Sequence, residues 1–524
     1  MTTPHTKETL AGEIQHVESS HPIHDLEIDD LKAKKNLERI DPEVAKYSEP
    51  LAVRIAPEEN RRLKAMIDRR VLPIMVFTYF LQALDKGTIA FASIMGIMDD
   101  AGLKGQQYNW LTTCIYITVL IVEYPTNWII QRVPVAKYLA FNIISWGAVL
   151  ACHAACRSFA GLLLVRILLG AFEACCQPAF LIMSSMWYTR AEQAAVVAYW
   201  YMMNGGQQIV GGLLAYCFSL IPPGGPIHSW QALFICYGCF TVLYGSFVLY
   251  WLPDSPMKAR CFSEQDKRLM VERVRANQTG LQNRTFRREQ VWEAFRDPQT
   301  WAFFMIQVLT SLPTSGLGAF ANIIIKGFNF TLFQTQLLAM VLGTVIIIVL
   351  MGAVWLDRKT KQPTLIMLLS PLPSIAGTIV LMTVDHTTKG RRIGLLISYY
   401  IVLSFWACAA LCLSLVSRNV AGQTKKATIV ATNFVGWATG NSIGPQVFLA
   451  RDAPRYFIAF SVHLACYAVL MIVVALLRFH YGRQNRLRAK RLSESGGQAA
   501  RDAALVHSFE DRTDMENINF VYMR

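Results

Sequence analysis

Charge is scarce in this sequence. Asp, Glu, Lys and Arg make up 16% of its 524 residues, where a soluble chain has about 25%. The deficit excludes a chain that faces water on every side. Cysteine is present but forms no useful pattern. The 12 cysteines lie mostly inside apolar stretches, among them Cys152, Cys156, Cys175 and Cys176, with no metal-ligand spacing in a polar context. They read as small apolar packing residues, so neither a disulfide framework nor a metal centre is expected. No nucleophile, metal or cofactor motif appears; an enzyme is not expected, nor any cofactor. The N-terminus has no short apolar core followed by a cleavage site, and its first 60 or so residues are polar and of mixed charge. No signal peptide is expected. The strict alternation of barrel strands is also missing.

Apolar length is what the chain has in quantity. Hydrophobic residues make up 53% of it, and its mean hydropathy is +0.32. A bilayer core about 30 Å thick takes about 20 apolar residues per helix. Twelve such runs can be placed, at about 71–98, 109–130, 138–156, 159–185, 193–220, 229–251, 299–325, 333–355, 363–384, 392–416, 427–450 and 455–478. Only helices or closed barrels satisfy the backbone in lipid. The expectation is an all-α integral membrane protein with twelve transmembrane helices.

The net charge, 50 − 36 = +14, is placed unevenly. Arg61, Arg62, Lys64, Arg69 and Arg70 precede the first run; Arg132 and Lys137 separate the second from the third. Arg358, Lys359 and Lys361 follow the eighth, Lys425 and Lys426 precede the eleventh, and Arg478 to Arg491 trail the last. With twelve spans all of these fall on one side, which the positive-inside rule makes the cytosol. Both termini are then cytosolic. Lys389, Arg391 and Arg392 fall on the other side. The basic balance thus reads as topology, and no nucleic-acid partner is expected.

The layout is a tail (1–60), six spans (61–251), a linker (252–297), six spans (298–480) and a second tail (481–524). Residues 1–50 and 493–524 are polar without a sustained apolar period and are expected to be disordered. In the linker, Ser263 stands three residues before Asp266 and opens a helical pattern. That helix is expected to lie on the membrane surface and tie the halves together. Six spans, a polar middle and six spans is the pattern of transporters built from repeats.

Ionisable residues inside spans are expensive, and each is a functional hypothesis. They are few: Asp85 and Lys86 in span one, Glu123 in span two, Arg166 and Glu173 in span four. The second six spans hold no carboxylate well inside a run. Arg166 and Glu173, seven residues apart, share a helix face about 10 Å apart along the axis. Desolvation favours a neutral carboxyl group and a nearby cation favours its ionised form. A carboxylate held between the two can load and release a proton. The spans therefore offer two cations, Lys86 and Arg166, for an anionic substrate, and two carboxylates, Asp85 and Glu173, for protons. Asp85 and Arg166 could instead form a static pair, and Glu123 could serve only to orient a neighbour. Asn204, Gln207 and Gln208 in span five, Gln307 and Asn322 in span seven, and Asn433 and Asn441 in span eleven are amides that could reach a substrate or join helix to helix. Gly436, Gly440 and Gly444 recur every four residues, a close-packing signature. Tyr399, Tyr400 and Trp406 could form an aromatic wall. Asn277, Asn283 and Asn329 carry the glycosylation pattern, and only Asn329 would lie outside.

Specific text accompanies this layout. It includes Leu84-Asp-Lys86, Tyr124-Pro-Thr-Asn127, Gln131-Arg-Val-Pro-Val-Ala-Lys137, Arg166-Ile-Leu-Leu-Gly170 with Glu173, Trp251-Leu-Pro-Asp-Ser-Pro256, Asn277-Gln-Thr-Gly280, Asp297-Pro-Gln-Thr-Trp301, Asn419-Val-Ala-Gly-Gln-Thr-Lys-Lys426 and Ala453-Pro-Arg-Tyr456. Over roughly residues 60–480 the chain resembles the major facilitator superfamily, its anion:cation symporter branch, and within that the fungal allantoate permease family. The branch carries an acid-base pair in span one and an arginine followed seven residues later by a glutamate in span four. The resemblance implies two six-helix halves and proton-coupled uptake of a small organic anion by alternating access. It also implies a monomer in the plasma membrane. Substrates of the kind include allantoate and related ureides, nicotinate-like vitamins and similar carboxylates. Lys86 stands where bacterial relatives usually carry Arg. The glycine run ending in Gly-Pro that marks proton antiporters is absent from Gly205 to Gly212, which favours symport. An exporter of an acidic secondary metabolite would present the same charged cavity. A non-transporting nutrient sensor would be expected to carry a long signalling tail.

Overall fold

The computed structural model describes residues 55–130, 132–222, 225–259, 261–279, 287–384, 389–494, 513–517 and 519–524. Regular structure among them is helical. An amphipathic helix, α1 (Pro57–Arg70), leads into α2 (Leu72–Ala92). The rest of the first half comprises α3 (Gln107–Ile130), α4 (Val135–Cys152), the bent pair α5 (Phe159–Glu173) and α6 (Cys176–Trp187), the broken pair α7 (Arg190–Tyr201) and α8 (Met203–Ser219), and α9 (Ser229–Trp251). The linker forms α10 (Glu264–Thr279) and α11 (Arg288–Arg296). The second half follows with α12 (Pro298–Gly327), α13 (Leu332–Thr360), α14 (Pro363–Leu369) with α15 (Pro371–Thr383), α16 (Lys389–Val402) with α17 (Trp406–Asn419), α18 (Gln423–Ile443) and α19 (Phe457–Glu494). The chain is thus a membrane protein of twelve helical spans in two six-helix halves.

Local signals set the helix starts. Ser158 accepts from the Gly161 amide ahead of α5, Asp297 caps α12 through Gln299 N at 3.0 Å with Pro298 beside it, and Thr331 and Gln334 cap each other at α13. Nine stretches among the described residues are long and apolar enough to cross a membrane by composition alone. The spans that fall short are α2, α7 with α8, and α18, and the reason is what they carry. Asp85 and Lys86 sit in α2, Asn204, Gln207 and Gln208 follow the break into α8, and α18 begins Gln-Thr-Lys-Lys and holds Asn433 and Asn441. These helices turn polar residues inward, so their mean hydropathy understates their burial.

Lipid offers little drive for helices to associate, so packing depends on small residues that let backbones approach. A Cβ on Gly440 would stand 2.6 Å from Val308 O, and one on Gly436 2.8 Å from Phe304 O. The glycine stripe of α18 is therefore a packing face against α12, as its spacing predicts. Gly205 of α8 and Gly343 of α13 meet in the same way across the two halves.

The halves also meet at the ends of α2, α3, α12 and α18 remote from the linker. Tyr108 donates to Ala319 O at 2.8 Å, and Asn109 Nδ2 to Pro445 O at 2.6 Å and Phe448 O at 2.8 Å. Thr113 donates to Ser442 O at 2.9 Å. Phe320 stacks on Phe448 at 4.5 Å, and the Tyr108 ring meets Phe320 edge-on. On the linker face each linker helix docks on its own half. From α10, Arg273 reaches Glu192 Oε1 at 2.5 Å and Asn60 Oδ1 at 2.6 Å, and Asp266 takes Arg62 at 2.5 Å. From α11, Glu293 pairs with Lys425 at 2.9 Å. The expected tie between the halves is in these contacts a pair of separate anchors.

Two expectations about the tails meet different outcomes. Residues 1–50 lie outside the described residues, as do Asn283 and Gln131. Residues 513–517 and 519–524, expected to be structureless, are instead docked. Asp514 is fully buried, and Lys425 Nζ lies 2.8 Å from it and 2.7 Å from Asp297. A polar segment carries no local sign that a distant ammonium awaits it. Burial alone would lower the Lys425 ammonium, but Asp297 and Asp514 hold it above its ordinary value. Lys425→Ala leaves three carboxylates facing one another, a loss on the order of 3–5 kcal/mol for a buried pair broken on one side. A clear drop in the melting temperature of the solubilised protein is expected, with a smaller one for Lys425→Arg; an unchanged Lys425→Ala melt would refute the cluster's structural role.

Candidate functional site

Between the halves lies a cavity of two connected lobes, about 920 and about 870 Å³ of empty space including their open mouths. Lys86, Tyr116, Asn204 and Trp406 belong to both walls. One lobe reaches toward the linker face past Glu123 and Gln307; the deeper one ends at Ala90, Thr112 and Ala319. Just beyond that floor, Asn322 Nδ2 donates to Ala90 O at 2.9 Å. The cavity is thus closed at the face remote from the linker.

Lys86 and Glu173 are the centre of the wall. Lys86 Nζ lies 3.3 Å from Glu173 Oε2. The lysine side chain is 23% exposed and the glutamate 0%, so the ammonium is reached from the cavity and the carboxylate lies behind it. Neither Glu173 oxygen has a hydrogen-bond partner. The contact is an ion pair without the directed geometry of a hydrogen bond.

Asp85 points elsewhere. Adjacent helix residues diverge by about 100°, which carries Asp85 into the core of the first half while Lys86 faces the cavity. Its Oδ2 accepts from Trp146 Nε1 at 3.0 Å, and its Oδ1 has no partner. Arg166 is likewise fully buried and off the cavity wall, and none of its three guanidinium nitrogens has a hydrogen-bond partner. It lies 6.0 Å from the Phe234 ring, on which His153 stacks at 4.9 Å. Asp85 and Glu173 are within electrostatic range of it. The four charged residues of spans one and four therefore converge, but only Lys86 and Glu173 line the cavity.

The amides divide in the same way. Asn204, Gln207, Gln307 and Asn441 line the cavity. Asn204 Nδ2 donates to Tyr79 OH at 3.1 Å, and the Gln207 and Gln307 carbonyl oxygens have no partner. Asn433 is off the wall and takes the Cys412 thiol at 3.8 Å. Asn322 joins the halves as described. Glu123 is on the wall, half-buried, with its backbone carbonyl accepting from Asn127. Trp406 and Tyr399 do line the cavity, whereas Tyr400 donates to Leu338 O.

Sequence reasoning missed Tyr79, Gln82, Tyr116, Gln177 and Trp437, all on the wall. The signal was present. Tyr79 and Gln82 precede Lys86 by seven and four residues, Tyr116 precedes Glu123 by seven, and Gln177 follows Glu173 by four, the spacings that share a helix face. Tyr116 and Trp437 meet edge-on at 5.6 Å across the two halves.

Comparison with known proteins agrees with this architecture. Residues 75–445 match the Major Facilitator Superfamily model. The allantoate permease of Saccharomyces cerevisiae is 31% identical over 497 residues, covering 93% of this chain and 90% of that protein. The thiamine pathway transporter THI73 of the same yeast is 33% identical, with coverages of 89% and 87%, and an uncharacterised transporter of Schizosaccharomyces pombe is 32% identical, with 89% and 90%. Among solved structures, a D-xylose-proton symporter superposes with a TM-score of 0.60 at 12% identity, covering 77% of this chain and 96% of that one. The cavity between two six-helix halves, the matched model and these relatives together place the chain in the Major Facilitator Superfamily, with the fungal allantoate permease family, as a secondary transporter.

Proposed function

We propose that this transporter carries a small organic anion into the cell together with protons. The observation that carries the reading is the Lys86–Glu173 pair at 3.3 Å on the cavity wall. One ammonium there faces two claimants, the Glu173 carboxylate and the substrate carboxylate. While Glu173 is ionised it holds Lys86. A proton on Glu173 releases Lys86 to the substrate, so proton and anion bind together by simple charge balance. Asp85, buried with one oxygen free, is the second proton site, and Arg166 supplies the standing positive charge that keeps both carboxylates responsive. Asn204, Gln207, Gln307 and Asn441 line the same cavity and contribute hydrogen bonds; Trp406 and Trp437 face the uncharged part of the substrate. Similarity to the allantoate permease supports a ureide carboxylate as a candidate, beside nicotinate-like acids.

The positive-inside rule puts the linker face, and both termini, in the cytosol. The cavity then opens inward, and the cycle closes it there while breaking the contacts around Tyr108, Asn109 and Asn322. Two protons per monoanion couple to about one pH unit and about 100 mV with roughly 2 × 1.4 + 2.3 ≈ 5 kcal/mol, enough for accumulation of about a thousandfold or more. One proton per monoanion is electroneutral and limits accumulation to about tenfold per pH unit.

The test is uptake of labelled organic anions by cells expressing the protein in the plasma membrane, at acidic and at neutral external pH, with and without a protonophore. Uptake should rise at acidic pH and collapse with the protonophore. If no anion enters and preloaded acidic metabolites are lost faster, the protein exports. Glu173→Gln fixes the neutral state; it should abolish uphill uptake yet keep counterflow exchange, and loss of both would assign Glu173 to folding or binding. Lys86→Gln should lower affinity for the anion by at least about tenfold, the equivalent of one charge-assisted contact, measured as inhibition of labelled uptake by unlabelled anion. Unchanged affinity would remove Lys86 from the site.

A further inference from the structure

The transport cycle leaves the C-terminal segment unexplained, yet it is held by directed contacts. Asp514 pairs with Lys425 and accepts from Gln299 Nε2 at 3.0 Å and from Tyr522 OH at 2.6 Å. The Tyr522 ring stacks on Tyr481 at 4.9 Å. Met523 exchanges two hydrogen bonds with Asn419, at 2.8 and 2.9 Å. The segment therefore bridges α11, α12, α17, α18 and α19 at the linker face.

Thr513 is the first described residue of this segment and is fully buried. Its hydroxyl donates to Glu293 Oε2 at 3.1 Å. Its amide donates to Glu516 Oε2 at 2.9 Å, and its oxygen accepts from the Glu516 amide at 3.2 Å. Lys425 already answers Glu293, Asp297 and Asp514. The Thr513 hydroxyl thus points at a site rich in carboxylates. A phosphate there would add a charge of about −1.5 to −2, and beside Asp or Glu such a charge disrupts by repulsion.

We propose that Thr513 is a phosphorylation site and that its phosphorylation releases the C-terminal segment from the linker face. The local sequence Thr513-Asp-Met-Glu516 places carboxylates one and three residues after the acceptor, which suits a kinase with a basic substrate groove. The γ-phosphoryl group of a nucleoside triphosphate passes to Thr513 Oγ1. The new O–P bond forms as the bond from the γ-phosphorus to the β,γ-bridging oxygen breaks, and the hydroxyl proton leaves to the kinase's base. Because Thr513 is buried when docked, the undocked fraction is the substrate, and the phosphate then holds the segment undocked. What it uncovers is the turn between α17 and α18. There Asp514 Oδ1 accepts from the Ala421 amide at 3.4 Å, and Thr513 Cγ2 lies 2.9 Å from where a Cβ on Gly422 would be. That turn lies on the face that must close during transport, so release changes the balance between open and closed states. The proposal rests on the linker face being cytosolic.

The experiment is hydrogen exchange by mass spectrometry on the full-length solubilised protein, before and after treatment with an acid-directed kinase and ATP. One phosphate on Thr513 is expected, with exchange in the peptide spanning Tyr522 and Met523 at least about tenfold faster. Thr513→Glu should accelerate exchange in the same peptide. Thr513→Val, which loses the hydroxyl without gaining charge, should stay closer to the unmodified protein, and Glu293→Gln should restore protection to Thr513→Glu. The proposal falls if phosphate or Glu at Thr513 leaves exchange unchanged, if Val releases the segment as fully as Glu, or if the kinase ignores Thr513 even after Lys425→Ala has loosened it. Access of an antibody to a C-terminal epitope in intact and in permeabilised cells checks the topology separately; an external epitope would overturn the cytosolic assignment rather than the charge-gated docking.

Discussion

A positive charge at membrane depth must be answered, and Lys86 is answered by Glu173 across the gap between α2 and α5. An isolated charge at the middle of a span costs about 2.5–3.5 kcal/mol on insertion scales. The pair reduces that cost only while both partners keep their charges. On the function proposed above, the same contact would respond to its own protonation and to the arrival of a substrate anion. The rest of the charged group is arranged around it. Asp85, next in sequence, turns into the core and takes the Trp146 indole, while Arg166 stays buried with its nitrogens unpartnered. The wall presents one accessible ammonium, backed by a reserve of charge that solvent does not reach.

The contacts that join the halves at the face remote from the linker differ in kind from those that anchor the linker helices. At the face remote from the linker, side chains of one half donate to backbone carbonyls of the other, as Asn109 does to Pro445 and Phe448. Each such bond has a net value of about 0.5–1.5 kcal/mol and can be exchanged for another in a rocking motion. Ion clusters anchor the linker helices to their own halves instead, around Arg273 on one side and Lys425 on the other. The linker helices are thus anchored within their own halves, while hydrogen bonds to backbone carbonyls join the halves at the far face.

Much of this was legible along the chain. Glycine spacing in α18 predicted a close-packing face, which the fold sets against α12, and Lys86 and Glu173 were singled out because carboxylates and cations are rare inside spans. Arg166 was also singled out, but its distance from the cavity wall depends on how α5 rotates against α3 and α4, which no local pattern encodes. Asn433 and Asn441 sit eight residues apart on one helix, yet only Asn441 reaches the cavity; they lie about 80° apart around the helix and about 12 Å apart along it. Tyr116 and Trp437 escaped notice for a related reason: each alone reads as packing, and their meeting requires both halves.

The sequence by itself determined the spans and the short roster of residues able to handle charge. These follow from composition and from periods of a few residues, which act within one helix. The tertiary structure decided which of them meet. Glu173 and Lys86 are 87 positions apart, and Asp514 and Lys425 are 89 apart, by subtraction of their numbers. Charge complementarity has no sequence period, so only the folded chain brings such partners within 4 Å.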